Sequence, residues 1–214
     1  MPRSQPRRWS PHKFGVVGVE DLPRGVHNPE APFLQVLNAR VSRFGGSLAP
    51  GDLSSALWHS MLLRERRPIG RFGLPWESRS APSAGGLHPI HLLCLPIGEN
   101  GPVALYDPDR HRHLLLTGGA AAYAENAASV LELTGATAGT TLQFAADHSK
   151  IDACYENADS LLWRDAGALA ATVCLVAAAL ELAAVPLGRT GTRILRAAGL
   201  PDPFIGVGAV HLSK

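Results

Sequence analysis

The run from Ala166 to Pro186 is almost wholly apolar, interrupted by Thr172 and Glu181. A chain that carries it must either pass it through a bilayer or bury it in a protein core. A spanning helix needs about twenty apolar residues and normally avoids a carboxylate near one end. Glu181 lies near such an end, and most of the remaining residues are Ala, which promotes insertion only weakly. The run therefore reads as part of a buried helix, Asp159 to Ala184, whose small side chains let neighbouring elements approach closely. The rest of the fold has to be wrapped around that helix, and no membrane span is expected.

The 214 residues suffice for one domain with a real core, and 46% apolar with 18% charged residues fits an ordinary globular chain. A net charge of +2 gives no support for nucleic-acid binding. The basic excess is local: Arg3, Arg7, Arg8 and Lys13 precede the first acid, Glu20, and no nucleic-acid reader motif accompanies them. Residues 1–30, rich in Pro, Arg and Gly, read as an irregular N-terminal arm, and residues 31–214 as one domain. Cys94, Cys154 and Cys174 form no CxxC pair, so reduced thiols in a cytoplasmic protein are expected. The N-terminus has no apolar core of a secretion signal.

Along the chain, Pro50 to Leu63 predicts a helix, with Pro50 at its first position and Asp52 favouring its N-terminal dipole. A polar, breaker-rich stretch from Arg64 to Gly86 follows, too long for a simple connector. Strands are predicted over 89–95, 103–106, 113–116, 140–145 and 205–212, and helices over 120–133 and 192–198. Pro186-Leu187-Gly188 reads as a turn after the long helix. Strands and helices alternate without a strict βαβ repeat, so the class is α+β.

Chemistry concentrates in Arg79 to Pro89, RSAPSAGGLHP, where Pro82, Ser83, Ala84, Gly85 and Gly86 run directly into a strand. Adjacent glycines let backbone lie close to a ligand and accept positive φ. The Ser83 hydroxyl both donates and accepts hydrogen bonds. Such a loop suits the edge of a flat heterocycle. The histidine pairs His88/His91 and His111/His113 lack a companion Cys or carboxylate cluster, so no metal site is expected.

PSAGGLHP followed by a strand, then ALYDPDRHRHLLL, then Asp165-Ala166-Gly167 with the apolar helix and LELAAVPLG, then LRAAGLPDPFIGVGAVHL, resembles the SagB-type dehydrogenases of the nitroreductase superfamily. The four blocks come in the family's order and cover roughly residues 38–212. The resemblance implies a mixed sheet surrounded by helices, and an obligate homodimer with the Ala-rich helix at its core. It also implies FMN at the subunit interface, and NAD(P)H binding transiently as a donor without a Rossmann motif. Asn38 to Phe44 corresponds to the family's phosphate-binding segment, which makes Arg40, Ser42 and Arg43 the implied FMN-phosphate ligands. Pro186 to Arg189 corresponds to the loop that approaches the flavin N5 edge, through Leu187, Gly188 and Arg189. Tyr155 matches the tyrosine of a family Lys-Tyr pair, while Cys154 stands where the lysine belongs.

These correspondences imply an FMN-dependent oxidoreductase acting on a peptide or natural-product intermediate, with modification-complex proteins as partners. Two alternatives stand beside it: a general NAD(P)H-dependent nitroreductase, and a catalytically degenerate scaffold within a modification complex.

Overall fold

The computed structural model describes residues 1–24, 27–99 and 101–214. Its centre is a seven-stranded sheet in the order β1-β6-β5-β4-β7-β9-β8. The strands are β1 (Val16–Asp21), β4 (Ile90–Pro96), β5 (Val103–Asp107), β6 (Arg112–Leu116), β7 (Thr140–Asp147), β8 (Ala183–Leu187) and β9 (Phe204–Ser213). A small hairpin, β2 (Glu65–Arg67) with β3 (Trp76–Ser78), lies inside the breaker-rich stretch. Every ladder is antiparallel, and a parallel element enters through the isolated bridge between Ser42 and Ala184. The α+β class expected from the sequence holds.

Side chains alternate across a strand, so a central strand buried on both faces must be apolar throughout. In β4, Leu92 and Cys94 join one core while Leu93 and Leu95 join another. β5 divides the same way, Ala104 and Tyr106 against Val103 and Leu105. The first core is covered by α2 (Pro50–Met61), through Leu57 and Met61, and by α5 (Ala158–Ala179), through Leu162, Leu169 and Val173. The second is covered by α3 (Ala120–Thr134) and α6 (Thr192–Ala197), through Tyr123, Ile194 and Leu195. Two further helices are short, α1 (Phe33–Ala39) and α4 (His148–Asp152).

The helices begin and end where local chemistry allows. α2 starts at Pro50 and ends at Met61, two residues before the expected limit, because Leu62 turns extended at ψ 133°. α3 stops on Gly135 in the left-handed conformation, whose N–H bonds the Leu131 carbonyl.

The long apolar helix requires a correction. α5 ends at Ala179, not Ala184, and Glu181 takes φ +57° to turn the chain. Ala183 to Leu187, expected as helix end and turn, is instead the edge strand β8, with Ala184 opposite Leu212 and Pro186 opposite Val210. Proline in a sheet is confined to edges, which is the position Pro186 holds. Among the described residues, α5 is the one helix long and apolar enough to cross a bilayer, but here it packs on the sheet.

The N-terminal arm also departs from expectation. Val16–Asp21 forms the opposite edge strand, paired with β6 despite Gly18 and a register shift that spoil its alternation. Ahead of it, Arg3 N–H and Arg7 N–H donate to the carbonyls of Cys154 and Ala153, and both guanidiniums pair with Asp152 at 2.9 and 2.7 Å. The arm is docked along α4 rather than solvated.

A close backbone approach ties β9 to the turn before α6. The Gln143 amide donates to the Thr190 and Gly208 carbonyls, and Gly206 lies under that turn. A Cβ on Gly206 would lie 2.4 Å from the Thr190 carbonyl oxygen and 2.6 Å from the Thr192 nitrogen, both backbone atoms. Gly206→Ala is therefore expected to cost about 1–3 kcal/mol of unfolding free energy, the usual penalty of overpacking. Urea denaturation of the variant against the parent chain measures it.

Candidate functional site

Ala84–Gly86 forms a single 3-10 turn between β3 and β4, with Gly85 at φ +63° and Gly86 at φ +66°. Neither position tolerates a side chain. A Cβ on Gly86 would lie 2.4 Å from the Trp76 ring, and one on Gly85 would lie 2.8 Å from the Tyr155 hydroxyl. The turn is held by one carboxylate of the core helix. Ser83 Oγ donates to Asp165 Oδ2 at 2.6 Å, and Ala84 N–H donates to Asp165 Oδ1 at 3.1 Å. Ser83 Oγ also accepts from His88 N–H at 2.9 Å, so its hydroxyl is used in both senses. Burial raises the Asp165 pKa, and the bonds from Ser83 and Ala84 oppose that rise. In the sequence Asp165 stands only as the entry to the apolar run. Its role in fixing a loop 82 residues away left no local signal.

Tyr155 belongs to the same corner. Its ring meets Phe72 edge-on at 5.0 Å between centroids, and its hydroxyl has no hydrogen-bond partner among the described residues. Burial pushes the phenol up. The neighbouring Cys154 thiol is buried and is pushed up likewise.

Arg40, Ser42 and Arg43 lie elsewhere, all exposed, between α1 and α2. Ser42 bridges Ala184, and Arg43 N–H donates to the Ala184 carbonyl at 3.1 Å, so the segment runs beside β8. The Arg40 charge reaches Cys174 on α5. Among the described residues neither guanidinium has an ion-pair partner.

Leu187 ends β8 opposite Ala209, and the exposed Gly188 follows with open space where a Cβ would stand. Arg189 turns inward. Its Nη2 donates to Asn126 Oδ1 at 2.5 Å, its buried Nε has no partner, and burial pushes its pKa down to about 10.

The sequence-predicted residues thus fall into two groups within one chain. Pro82 to Gly86 and Tyr155 meet near Asp165. Arg40 to Arg43 and Leu187 to Arg189 share β8. No hydrogen bond among the described residues joins the groups, and Asp165 and Cys174 are nine residues apart on α5, roughly 13 Å at 1.5 Å per residue.

The histidines also divide. His111 is structural, with Nδ1 bonded to Tyr106 Oη and Nε2 to Ser54 Oγ, both at 2.8 Å. His88 Nε2 lies 3.1 Å from the Glu77 carbonyl. Burial, with the nearby Arg79 charge, pushes His88 down to about 4, and burial, with the Lys150 charge, does the same to His91.

No family profile matches the chain, and no curated protein sequence matches it. Solved structures do. A protein described as a nitroreductase from Ralstonia eutropha JMP134 superposes with TM-score 0.68 at 22% identity, covering 98% of this chain and 97% of the other. Another described so, from Anabaena variabilis, gives 0.65 at 18% identity, with this chain spanning 41% of that longer one. The Escherichia coli microcin synthetase McbBCD complex, bound to truncated pro-MccB17, gives 0.60 at 14% identity over 82% of this chain and 69% of its own. The chain has the nitroreductase fold.

Two measurements check this geometry. Removing the shared acceptor with Asp165→Ala leaves the Ser83 hydroxyl and Ala84 N–H unpaired. It should cost about 1–3 kcal/mol and speed amide exchange at Ala84 and His88. Denaturation and hydrogen exchange read both effects.

The second check is on pH. His88 and His91 are neutral in the fold but bind protons below about 6.5 when unfolded, so the unfolded state takes up more protons as pH falls. Their stability contribution is complete above that value and is lost towards pH 4. Stability should therefore drop between pH 6.5 and 5, and His91→Phe should show a shallower slope in urea midpoints over that window.

Proposed function

We propose that the chain is an FMN-dependent oxidoreductase of the nitroreductase type, working as a cytoplasmic homodimer with each flavin held between subunits. One observation carries the reading: in this fold, a loop of two consecutive left-handed glycines is pinned by Asp165 to the core helix, where no side chain would fit. Backbone exposed this way suits the polar edge of a flat ring.

The remaining residues fit the group. Arg40 and Arg43 offer two guanidiniums without an ion-pair partner among the described residues, and the arginine fork matches a phosphate. Ser42 stands between them. Gly188 presents open backbone between Leu187, at the end of β8, and the buried Arg189, whose Nε lacks a partner among the described residues. In this reading, Pro82 to Gly86 of one subunit and the arginine segment of the other complete a single site. That accounts for their separation within one chain.

A second copy also accounts for surface otherwise left uncovered. Phe33, Leu34 and Leu37 of α1, Val41, Phe44 and Trp163 of α5 are all exposed, and α1 packs on α5. Ser160, Gly167 and Ala171 continue that exposed face of α5 at helical spacing.

When bound, FMN supplies hydride exchange with an organic substrate. The chain's own contribution is to hold the ring edge, neutralise the phosphate and place Tyr155 beside the glycine loop as the proton donor. A peptide or natural-product intermediate is the proposed substrate, and proteins of a modification complex the proposed partners. The similarity to the microcin synthetase supports that choice. Azoline oxidation with a lysine base is not part of the proposal, because the aligned Cys154 is a buried thiol. A general nitroreductase drawing on NAD(P)H would use the same site, while the buried Cys154 favours a scaffold without catalysis as the competing reading.

The purified protein should be yellow, with about one FMN per chain and a dimeric mass by light scattering. Arg40→Ala with Arg43→Ala should lower FMN occupancy several-fold, given about 1.5–3 kcal/mol per charged hydrogen bond. A colourless protein that FMN cannot reconstitute overturns the enzyme reading in favour of the scaffold. Unchanged occupancy in the double variant overturns the phosphate assignment alone.

A further inference from the structure

Behind the glycine loop lies a second cavity, of about 420 Å³, which the flavin reading does not use. None of residues 40–43 or 187–189 lines it; it touches the loop only through the flanking Arg79 and His88. The N-terminal arm forms one wall with Trp9, His12 and Phe14. Trp9 Nε1 donates to Asp147 Oδ2 at 3.0 Å, which adds to the anchors of Arg3 and Arg7 on Asp152. The arm is thus built as a cover, and its aromatic residues face a space of ligand size.

The polar groups of this cavity are unequally satisfied. Its carboxylates are neutralised or well bonded. Glu77 accepts from both Arg66 and Arg79, and Asp109 from Arg66. Asp107 accepts from Arg112, and Asp147 from Trp9, Ser149 and the Lys150 backbone. The cationic side differs. Lys150 Nζ has no hydrogen bond or ion pair among the described residues, and its recorded neighbour is the Trp9 ring, 5.1 Å away. Arg79, only 9% exposed, has a buried Nε without a partner. The His91 ring is packed on Phe14 and Phe204 at 5.6 Å and makes no hydrogen bond among the described residues.

Glu77 and Asp147 favour the Lys150 charge only from beyond ion-pair distance, so the largely buried ammonium is incompletely compensated, and a ligand carboxylate in direct contact recovers part of that cost. One unpaired ammonium beside one free guanidinium N–H calls for a single negative charge with two acceptor oxygens. The remaining wall, Trp9, Phe14, Phe204 and Tyr106 with Ile90 and Leu105, calls for a flat apolar body.

We propose that this cavity binds a small aromatic carboxylate, with Lys150 as its counter-ion, Arg79 Nε as a second donor and the N-terminal arm closing over it. Burial lowers the Lys150 pKa in the empty chain. A bound carboxylate would oppose that shift and favour the charged form.

The probe is benzoate, titrated calorimetrically into the purified full-length protein with whatever flavin it carries, with benzyl alcohol and benzylamine as uncharged and cationic counterparts. Benzoate should bind with one site per chain, and at least about tenfold tighter than either counterpart, the scale of one hydrogen bond to a charged group. Lys150→Met should lose a similar factor, while Lys150→Arg stays near the parent. Benzoate should also change the protein's tryptophan emission, and that change should vanish in Trp9→Phe. Thermal unfolding verifies that each variant is folded, and Lys150→Gln replaces any that is not.

Three results would overturn the proposal: no benzoate binding, benzyl alcohol binding equally well, or a folded Lys150→Met or Lys150→Gln variant that binds as the parent does. Binding that perturbs a flavin spectrum yet ignores Lys150 and Trp9 would place benzoate at the flavin face instead, and would leave the proposed function standing while refuting this site.

Discussion

The structure depends on β4 and β7 being buried on both faces. A sheet whose central strands read Ile-His-Leu-Leu-Cys-Leu and Thr-Leu-Gln-Phe-Ala-Ala cannot leave either side to water, so each face must acquire helices. The two cores differ in the cover they need. α3 and α6 approach the second face through Tyr123, Ile194 and Leu195. α5 lies on the first face with Ala and Gly along much of its length, so its backbone can come near to the strands and its far side stays smooth. Close packing of one element therefore governs both the interior and the surface left for another molecule.

That helix also carries the polar exception on which the loop geometry rests. Asp165 is buried, and burying a carboxylate is costly unless its oxygens are occupied. Here they take the Ser83 hydroxyl and the Ala84 amide, and the cost is offset by fixing a turn that two glycines would otherwise leave loose. The fixed turn then leaves the Tyr155 hydroxyl close to Gly85 with room for no more than a hydrogen at that carbon. The loop is rigid because of a partner in another element.

This division explains what was legible in the sequence. β4, β5 and the glycine pair were readable because a continuous apolar run and positive-φ demands are local properties. α3 was readable to within a residue because Gly135 closes it. The end of α5 was not: Ala177 to Ala184 is apolar on both sides of Leu180 apart from Glu181, and what divides it is the pairing of Ala184 with Leu212, a contact 28 positions along the chain. β1 hides for a related reason, since Gly18 and the acids at 20 and 21 blur its pattern and only β6 reveals it. The docked arm depends on Asp147 and Asp152, far from it in sequence. Candidate site residues followed the same rule: Ser83, Gly85 and Gly86 could be nominated from their own segment, whereas the contacts of Asp165, Arg79 and Lys150 come only from what faces them.

The two groups of candidate site residues are held by opposite ends of the sheet layer. Asp165 fixes the glycine loop near the first turns of α5, while Ala184 fixes the arginine segment on the edge strand that follows its last turn. Between them α5 acts as a spacer, and no hydrogen bond among the described residues joins the two groups across it. A site that needs both a ring-edge loop and a phosphate grip cannot then be assembled by small motions inside one chain. In the proposed dimer a two-fold operation would assemble it, since an isologous contact repeats each pairing of loop and edge twice. The exposed stripe of Ser160, Gly167 and Ala171 is the surface such an operation requires, free of bulky residues except at Trp163 and Arg164. The same small residues that let α5 pack closely on its own sheet would thus let a second α5 approach.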